Sequence, residues 1–221
     1  MIKQLIDEAL IAHDFVSKRK LESTSFYMRE SGSAIRFAVV HILDDFPTPT
    51  ELNSRINQLA PEEFRGNPSY KKNCDLVCIH RLDLLAQFKD HEEEIFALEE
   101  DPHFYKKYVL YYSAAEESAL TNFTYEKLVS VIADKKEFLN YKENPLVATQ
   151  YSFAAKTFIK LPFLELPTHQ GELVSLRLQA EGAVAEAGLS DTYLTIRKVT
   201  AKNTDEIIKE MINNELANIQ D

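Results

Sequence analysis

The segment that most narrows the fold is Ile35–Leu43, IRFAVVHIL. It is short, dense in β-branched and aromatic residues, and stopped by Asp44-Asp45 and then by Pro47 and Pro49, which predicts a strand. Cys74–His80, CDLVCIH, reads as a second buried strand. Between the two, Thr48 precedes Pro49, and Pro is tolerated at the first helical position. Leu52, Ile56 and Leu59 would then face inward until Pro61 closes the helix, and Asn67-Pro68-Ser69 is a loop. Strand, helix, strand in that order predicts a small α/β unit.

Helical spacing dominates the rest. Ile2, Leu5, Ile6, Ala9, His13 and Val16 share one face, which predicts an N-terminal helix with Lys18, Arg19 and Lys20 at its C-terminal end. Phe26 to Arg29 reads as a short strand, and Ser31-Gly32-Ser33 as the turn after it. Beyond Leu82 the apolar positions Leu85, Phe88, Ile95 and Leu98, then Leu128, Val131, Ile132 and Leu139, predict helices, the second set starting at the N-cap Thr124. Asn144-Pro145 ends that helix, Val147 to Ile159 is another, and Leu161 to Gly171 is a connector. Leu173 to Gly188 is ambiguous, and Tyr193 to Val199 reads as a strand. Thr204 caps a last helix striped by Ile207, Ile208, Met211, Ile212, Leu216 and Ile219. The expected class is α+β and predominantly helical. A small N-terminal α/β unit over 1–113, with its leading helix, precedes a mainly helical portion over 114–221, and the two are compatible with one continuous domain.

Charge and motifs exclude several functions. Lys and Arg total 25 against 35 Asp and Glu, a net charge of −10, so neutralising nucleic-acid phosphates is not the chain's main task. Asp7 and Glu8 interrupt what would be the apolar core of an export signal, no apolar run is long enough for a membrane-spanning helix, and two cysteines make no disulfide framework. A cytoplasmic protein is expected. Five glycines, none placed before a Lys-Ser or Lys-Thr pair, form no P-loop, so any ATP hydrolysis comes from another subunit. Asp44 and Asp45 end one predicted strand and Asp75 opens the next, which permits a small metal-dependent hydrolase or nuclease as the alternative function; acids also end strands because they favour turns. Asp134 and Lys136 give a D-x-K fragment like part of a restriction-type nuclease core, but in a helical pattern. Cys74, Cys78 and His80 share a strand face, spread over about 20 Å at ~3.3 Å per residue, too far apart for one ion. The two cysteines read as buried free thiols, and no metal, cofactor or catalytic set is expected.

Residues 89 to 101 hold seven acids and one lysine, the mark of a solvated helix face. Phe104, Tyr105, Lys106, Lys107, Tyr108, Tyr111 and Tyr112 follow at once. Three readings stay open for them: a clamp for single-stranded nucleic acid, a helix whose aromatic stripe packs on the core with its lysines outside, and a protein contact. The stripe of the last helix, Ile208, Ile212, Leu216 and Ile219, either docks on its own core or lies against a partner helix, and in the second case it is a further candidate contact.

Leu98–Ser113, LEEDPHFYKKYVLYYS, with its acidic helix, Asp-Pro, aromatic, paired lysines and Val-Leu, resembles the middle component of bacterial three-component ABC systems, among them Lamassu-type anti-phage and anti-plasmid defences. The resemblance implies a non-enzymatic accessory subunit. Its partners would be an SMC-like coiled-coil ATPase and an effector, often a nuclease, with nucleic acid met at most through the complex. It carries over no functional residue.

Overall fold

The computed structural model describes residues 1–32, 34–167, 176–199 and 203–218. In chain order the elements are α1 (Ile2–Ala12), β1 (Val16–Lys20), β2 (Thr24–Ser31), β3 (Ala34–Leu43), α2 (Pro49–Leu59), α3 (Glu62–Arg65), β4 (Cys74–Leu82), a 3-10 turn (Leu85–Asp90), α4 (Glu92–Glu99), β5 (Lys106–Ser113), α5 (Ala114–Ala119), α6 (Tyr125–Ile132), α7 (Lys135–Glu143), α8 (Gln150–Lys160), α9 (Leu176–Glu186), α10 (Ser190–Ile196) and α11 (Thr204–Asn218). The chain is mixed α+β, with a five-stranded sheet in its N-terminal part and helices after it. It divides into two compact units, 1–167 and 168–221. The change from strands to helices near 113 falls inside the first.

The sheet runs β1-β2-β3-β4-β5, antiparallel across the first three strands and parallel from β3 to β5. Parallel neighbours need a crossover. The β3-to-β4 crossover is α2 and α3, started by a full capping box at Thr48 and Glu51 with Pro49 at the first turn. The β4-to-β5 crossover is the 3-10 turn and α4. Side chains alternate along each strand and feed two cores. Phe37, Val39, Leu76, Cys78 and Val109 meet α2, α3 and α4 on one face. Ala38, Val40, Val77, Ile79 and Leu110 meet α1, α6 and α8 on the other. The result is three layers with the sheet in the middle.

Four sequence expectations are corrected. The N-terminal helix stops at Ala12, and Val16 with Lys18, Arg19 and Lys20 forms strand β1. Asp14 turns the chain in the left-handed region at φ 65, Phe15 N–H closes onto the Leu10 carbonyl at 3.0 Å, and the buried Phe15 ring seals the end. All five β1 residues are exposed, so the strand has no apolar signature and the helical spacing ran through it by coincidence. The second correction is that 104–112 is not helical. It is the approach to β5 and β5 itself, where tyrosine suits a pleated, half-buried surface. Third, Leu128 and Leu139 lie on separate helices, because Asp134 caps α7 by accepting from the N–H groups of Lys136 and Glu137 at 2.8 and 3.2 Å. That cap accounts for the D-x-K fragment. Fourth, Tyr193 lies in helix α10, not a strand. The last helix starts with Thr204 as its first residue.

Glu116 ties α5 and α8 to the end of β5. Its side chain is wholly buried and accepts from Ser113 N–H at 3.0 Å, Ser152 O–H at 2.7 Å and Lys156 Nζ at 2.7 Å. Glu116→Ala should therefore cost about 3 kcal/mol, since it leaves Ser113 N–H and the charged Lys156 without their acceptor, while Ser152 O–H keeps the Thr149 carbonyl. Glu116→Gln, which keeps an acceptor, should cost less. Urea denaturation of both variants checks the order.

Candidate functional site

The two ends of the parallel strands carry different chemistry. At the carboxyl end, Asp44, Asp45 and Phe46 after β3 meet His80, Arg81 and Asp83 at the end of β4, with His91 and Glu94 opposite, around an open cleft of about 420 Å³. His80 Nδ1 donates to the Leu43 carbonyl at 3.0 Å, and burial pushes the ring below its ordinary pKa. The Phe46 ring lies 4.2 Å from His80 and 5.1 Å from His91, whose Nδ1 is 2.9 Å from Glu94. Among the described residues no three His, Cys, Asp or Glu side chains converge as metal ligands.

Asp75 is not part of this cleft. It pairs with Ala38, five positions from the Leu43–His80 pair, which places it about 17 Å away at ~3.3 Å per residue. There it is almost fully buried and accepts from Arg36 at 2.8 Å. The strand ladder thus separates Asp75 from Asp44 and Asp45, and the alternative hydrolase reading loses its assembled carboxylates. Cys74 and Cys78 lie in the core as free thiols, with burial pushing Cys78 up to about 12.

At the opposite end, where β5 begins, the chain builds a second cleft of about 400 Å³ between α2 and the α4–β5 loop. Its organising group is Asp101. Lys107, wholly buried, donates to Asp101 Oδ2 at 2.7 Å and to the carbonyls of His103 and Tyr105 at 2.7 and 3.3 Å. Asn53 Nδ2 reaches the same carboxylate oxygen at 3.0 Å, and the His103 ring reaches Oδ1 at 2.9 Å. Burial opposes ionisation of Asp101, but the hydrogen bonds from Lys107, His103 and Asn53 outweigh it and hold the carboxyl well below its usual range. The loop is closed by Phe104 in the left-handed region, φ 63, which turns its ring outward with the Lys71 ammonium 4.5 Å from the ring centre.

The wall facing this loop is the outer side of α2. Thr50, Asn53, Ser54 and Asn57 follow the i, i+3, i+4, i+7 rule and share one face. All are weak helix formers, each costing roughly 0.5 kcal/mol against Ala, so propensity alone does not explain them. Sequence reading singled out none of the four. The signal was there, as an uncharged polar stripe on a helix whose apolar stripe was recognised.

The seven candidate residues of 104–112 are split by β5. Tyr105, Lys107 and Tyr112 point inward and are buried, Phe104 and Lys106 are exposed, and Tyr108 and Tyr111 are half-buried. Tyr111 stacks on Phe88 at 4.7 Å with Lys156 on its ring at 4.9 Å. Of the last helix, Ile208, Ile212 and Leu216 are exposed, and Ile219 lies outside the described residues.

Residues 36–137, from β3 to the start of α7, match the family model of the ABC-three component (ABC-3C) system Middle Component 1. The match covers just under half of the 221 residues and supports the family that the Leu98–Ser113 segment resembles. No match was found among curated proteins or among solved structures.

Lys107→Met should destabilise the fold by roughly 1–3 kcal/mol near neutrality, because it takes the ammonium partner from a partly buried carboxylate that keeps only Asn53 and His103. Adding Asp101→Asn should recover part of the loss. Asp101 titrates lower in the folded than in the unfolded chain, so its contribution is full above the ordinary carboxylate pKa of about 4 and drains away as pH falls below it. Urea midpoints measured from pH 7 to pH 3 should therefore fall more steeply for the wild type than for Asp101→Asn.

Proposed function

We propose that the chain is a non-catalytic accessory subunit of a bacterial three-component ABC defence system of Lamassu type, joining an SMC-like coiled-coil ATPase to an effector nuclease in the cytoplasm. The observation that carries this reading is the family match over residues 36–137. Two features support it. The carboxylates that a hydrolase would use are fixed at opposite ends of the sheet. No helix among the described residues is long and apolar enough to cross a membrane, in keeping with a subunit that works beside other proteins.

Two surfaces are proposed as contacts. One is the start of β5, where Phe104 and Lys106 are exposed and Tyr108 and Tyr111 are half-buried. The other is the α11 stripe of Ile208, Ile212 and Leu216, with Ile219 continuing its sequence pattern. Three exposed aliphatic side chains at helical spacing suit a groove or coiled-coil partner.

The test is co-expression with the products of the flanking genes and affinity purification of the tagged chain. Recovery of a coiled-coil ATPase and a third subunit is expected. Ile212→Asp with Leu216→Asp should lose the partner while leaving the melting temperature unchanged. DNA cleavage by the purified chain alone with Mg²⁺ or Mn²⁺, abolished by Asp44→Asn with Asp45→Asn, would overturn the proposal.

A further inference from the structure

The cleft at the carboxyl end of β3 and β4 holds groups that the fold itself does not use. His80 lines it and is only 8% exposed. The partner of its Nδ1 is a carbonyl, so that nitrogen carries the hydrogen, and burial favours the neutral ring. Nε2 is then a lone-pair acceptor. It makes no hydrogen bond among the described residues, yet it is not one of the buried polar atoms cut off from solvent. Asp44 and Asp45 are both exposed, and both lie close enough for their charges to act on His80. Neither side chain has an ion-pair or hydrogen-bond partner among the described residues. The one Arg or Lys on the lining, Arg81, is already shared between Asp83 at 3.0 Å and Glu117 at 2.9 Å. The result is an acidic cleft with a neutral acceptor in its wall and the Phe46 ring 4.2 Å from that acceptor's ring.

We infer that this cleft binds the guanidinium of an arginine carried by a partner chain, a reading that rests on the accessory-subunit function proposed above. Two carboxylates without counter-ions, in a chain of net charge −10, are complementary to a cation. The spread of the acceptors decides which cation. A metal ion needs three or more protein ligands converging on one point at ~2.0–2.2 Å, and no such group exists among the described residues. A guanidinium needs the opposite, because its five N–H donors fan outward in one plane and reach acceptors on different sides. Here they would meet the carboxylates of Asp44 and Asp45 and the Nε2 of His80, with the plane laid against Phe46. An ammonium is a compact point charge that would use the carboxylates but gain less from the ring and the imidazole.

The probe is a fluorescein-labelled peptide of three Gly-Arg-Ser repeats, followed by anisotropy against the full chain at low and physiological salt. Saturable binding that weakens with salt is expected, about threefold or more tighter than for the Gly-Lys-Ser counterpart. Asp44→Asn with Asp45→Asn should weaken it about tenfold or more at unchanged melting temperature. Glu126→Gln with Glu143→Gln, which removes two exposed acids elsewhere on the chain, should leave it unchanged. Absence of saturable binding, equal affinity for the lysine peptide, or equal weakening by the Glu126 and Glu143 pair would each overturn the inference. Displacement by free arginine amide as efficient as by unlabelled peptide would overturn its partner-chain clause. Co-purification with the flanking gene products separates its failure from that of the function. If Asp44→Asn with Asp45→Asn abolishes peptide binding but the complex assembles undiminished, the partner-arginine assignment falls and the accessory role stands. If the wild type binds the peptide but recovers no flanking product, the accessory role falls instead.

Discussion

Everything in the first unit follows from one constraint: β3 and β4 are covered on both faces. Phe37 to Val40 and Leu76 to Ile79 are buried residue after residue, so neither strand has a side that tolerates water. Such strands pair in parallel and sit between layers, and parallel pairing demands crossovers on the faces. That requirement places α2 and α4 over one face and leaves the other to α1, α6 and α8. It also fixes where loops gather, one set at each end of β3, β4 and β5. Both clefts are consequences of this arrangement rather than additions to it.

The edges of the sheet are handled differently. At β5, Val109 N–H donates outward to Glu99 at 2.7 Å, and Lys160 from α8 holds that carboxylate at 2.6 and 2.7 Å, so part of the edge is closed by an ion pair. At β1 the strand is five residues long, fully exposed, irregular at Lys18 and rich in Lys and Arg, which discourages a second strand from pairing there. The basic residues that looked like a helix C-terminus in the sequence are better explained as this edge protection.

What was legible in the sequence was whatever burial had written into the pattern. Ile35–Leu43 and Cys74–His80 stand out because both faces are apolar, and Thr48-Pro49 because capping chemistry is local. β1 was hidden because an exposed strand carries no apolar period. The 104–112 segment was ambiguous because its tyrosines fit a helix stripe and a strand equally well in spacing, and only the buried Lys107 decides between them. No single-residue rule puts a lysine on the inward side. It goes there because Asp101, six positions earlier, and two backbone carbonyls surround its ammonium. The candidate site depends on tertiary pairing of that kind, joining α2 to a loop some fifty residues away.

That pairing also explains why the loop before β5 is built as it is. A buried lysine requires its partner carboxylate at a fixed place, and Asp-Pro followed by a left-handed Phe104 folds the loop back so that Asp101 and the His103 and Tyr105 carbonyls converge on it. Holding a non-glycine residue at positive φ costs of order 1 kcal/mol, which the ion pair and its hydrogen bonds offset. The same turn that shields Lys107 inside therefore displays Phe104 outside, against Lys71 and beside the neutral polar face of α2. Interior charge neutralisation and the exposed ring of Phe104 are two sides of one loop conformation.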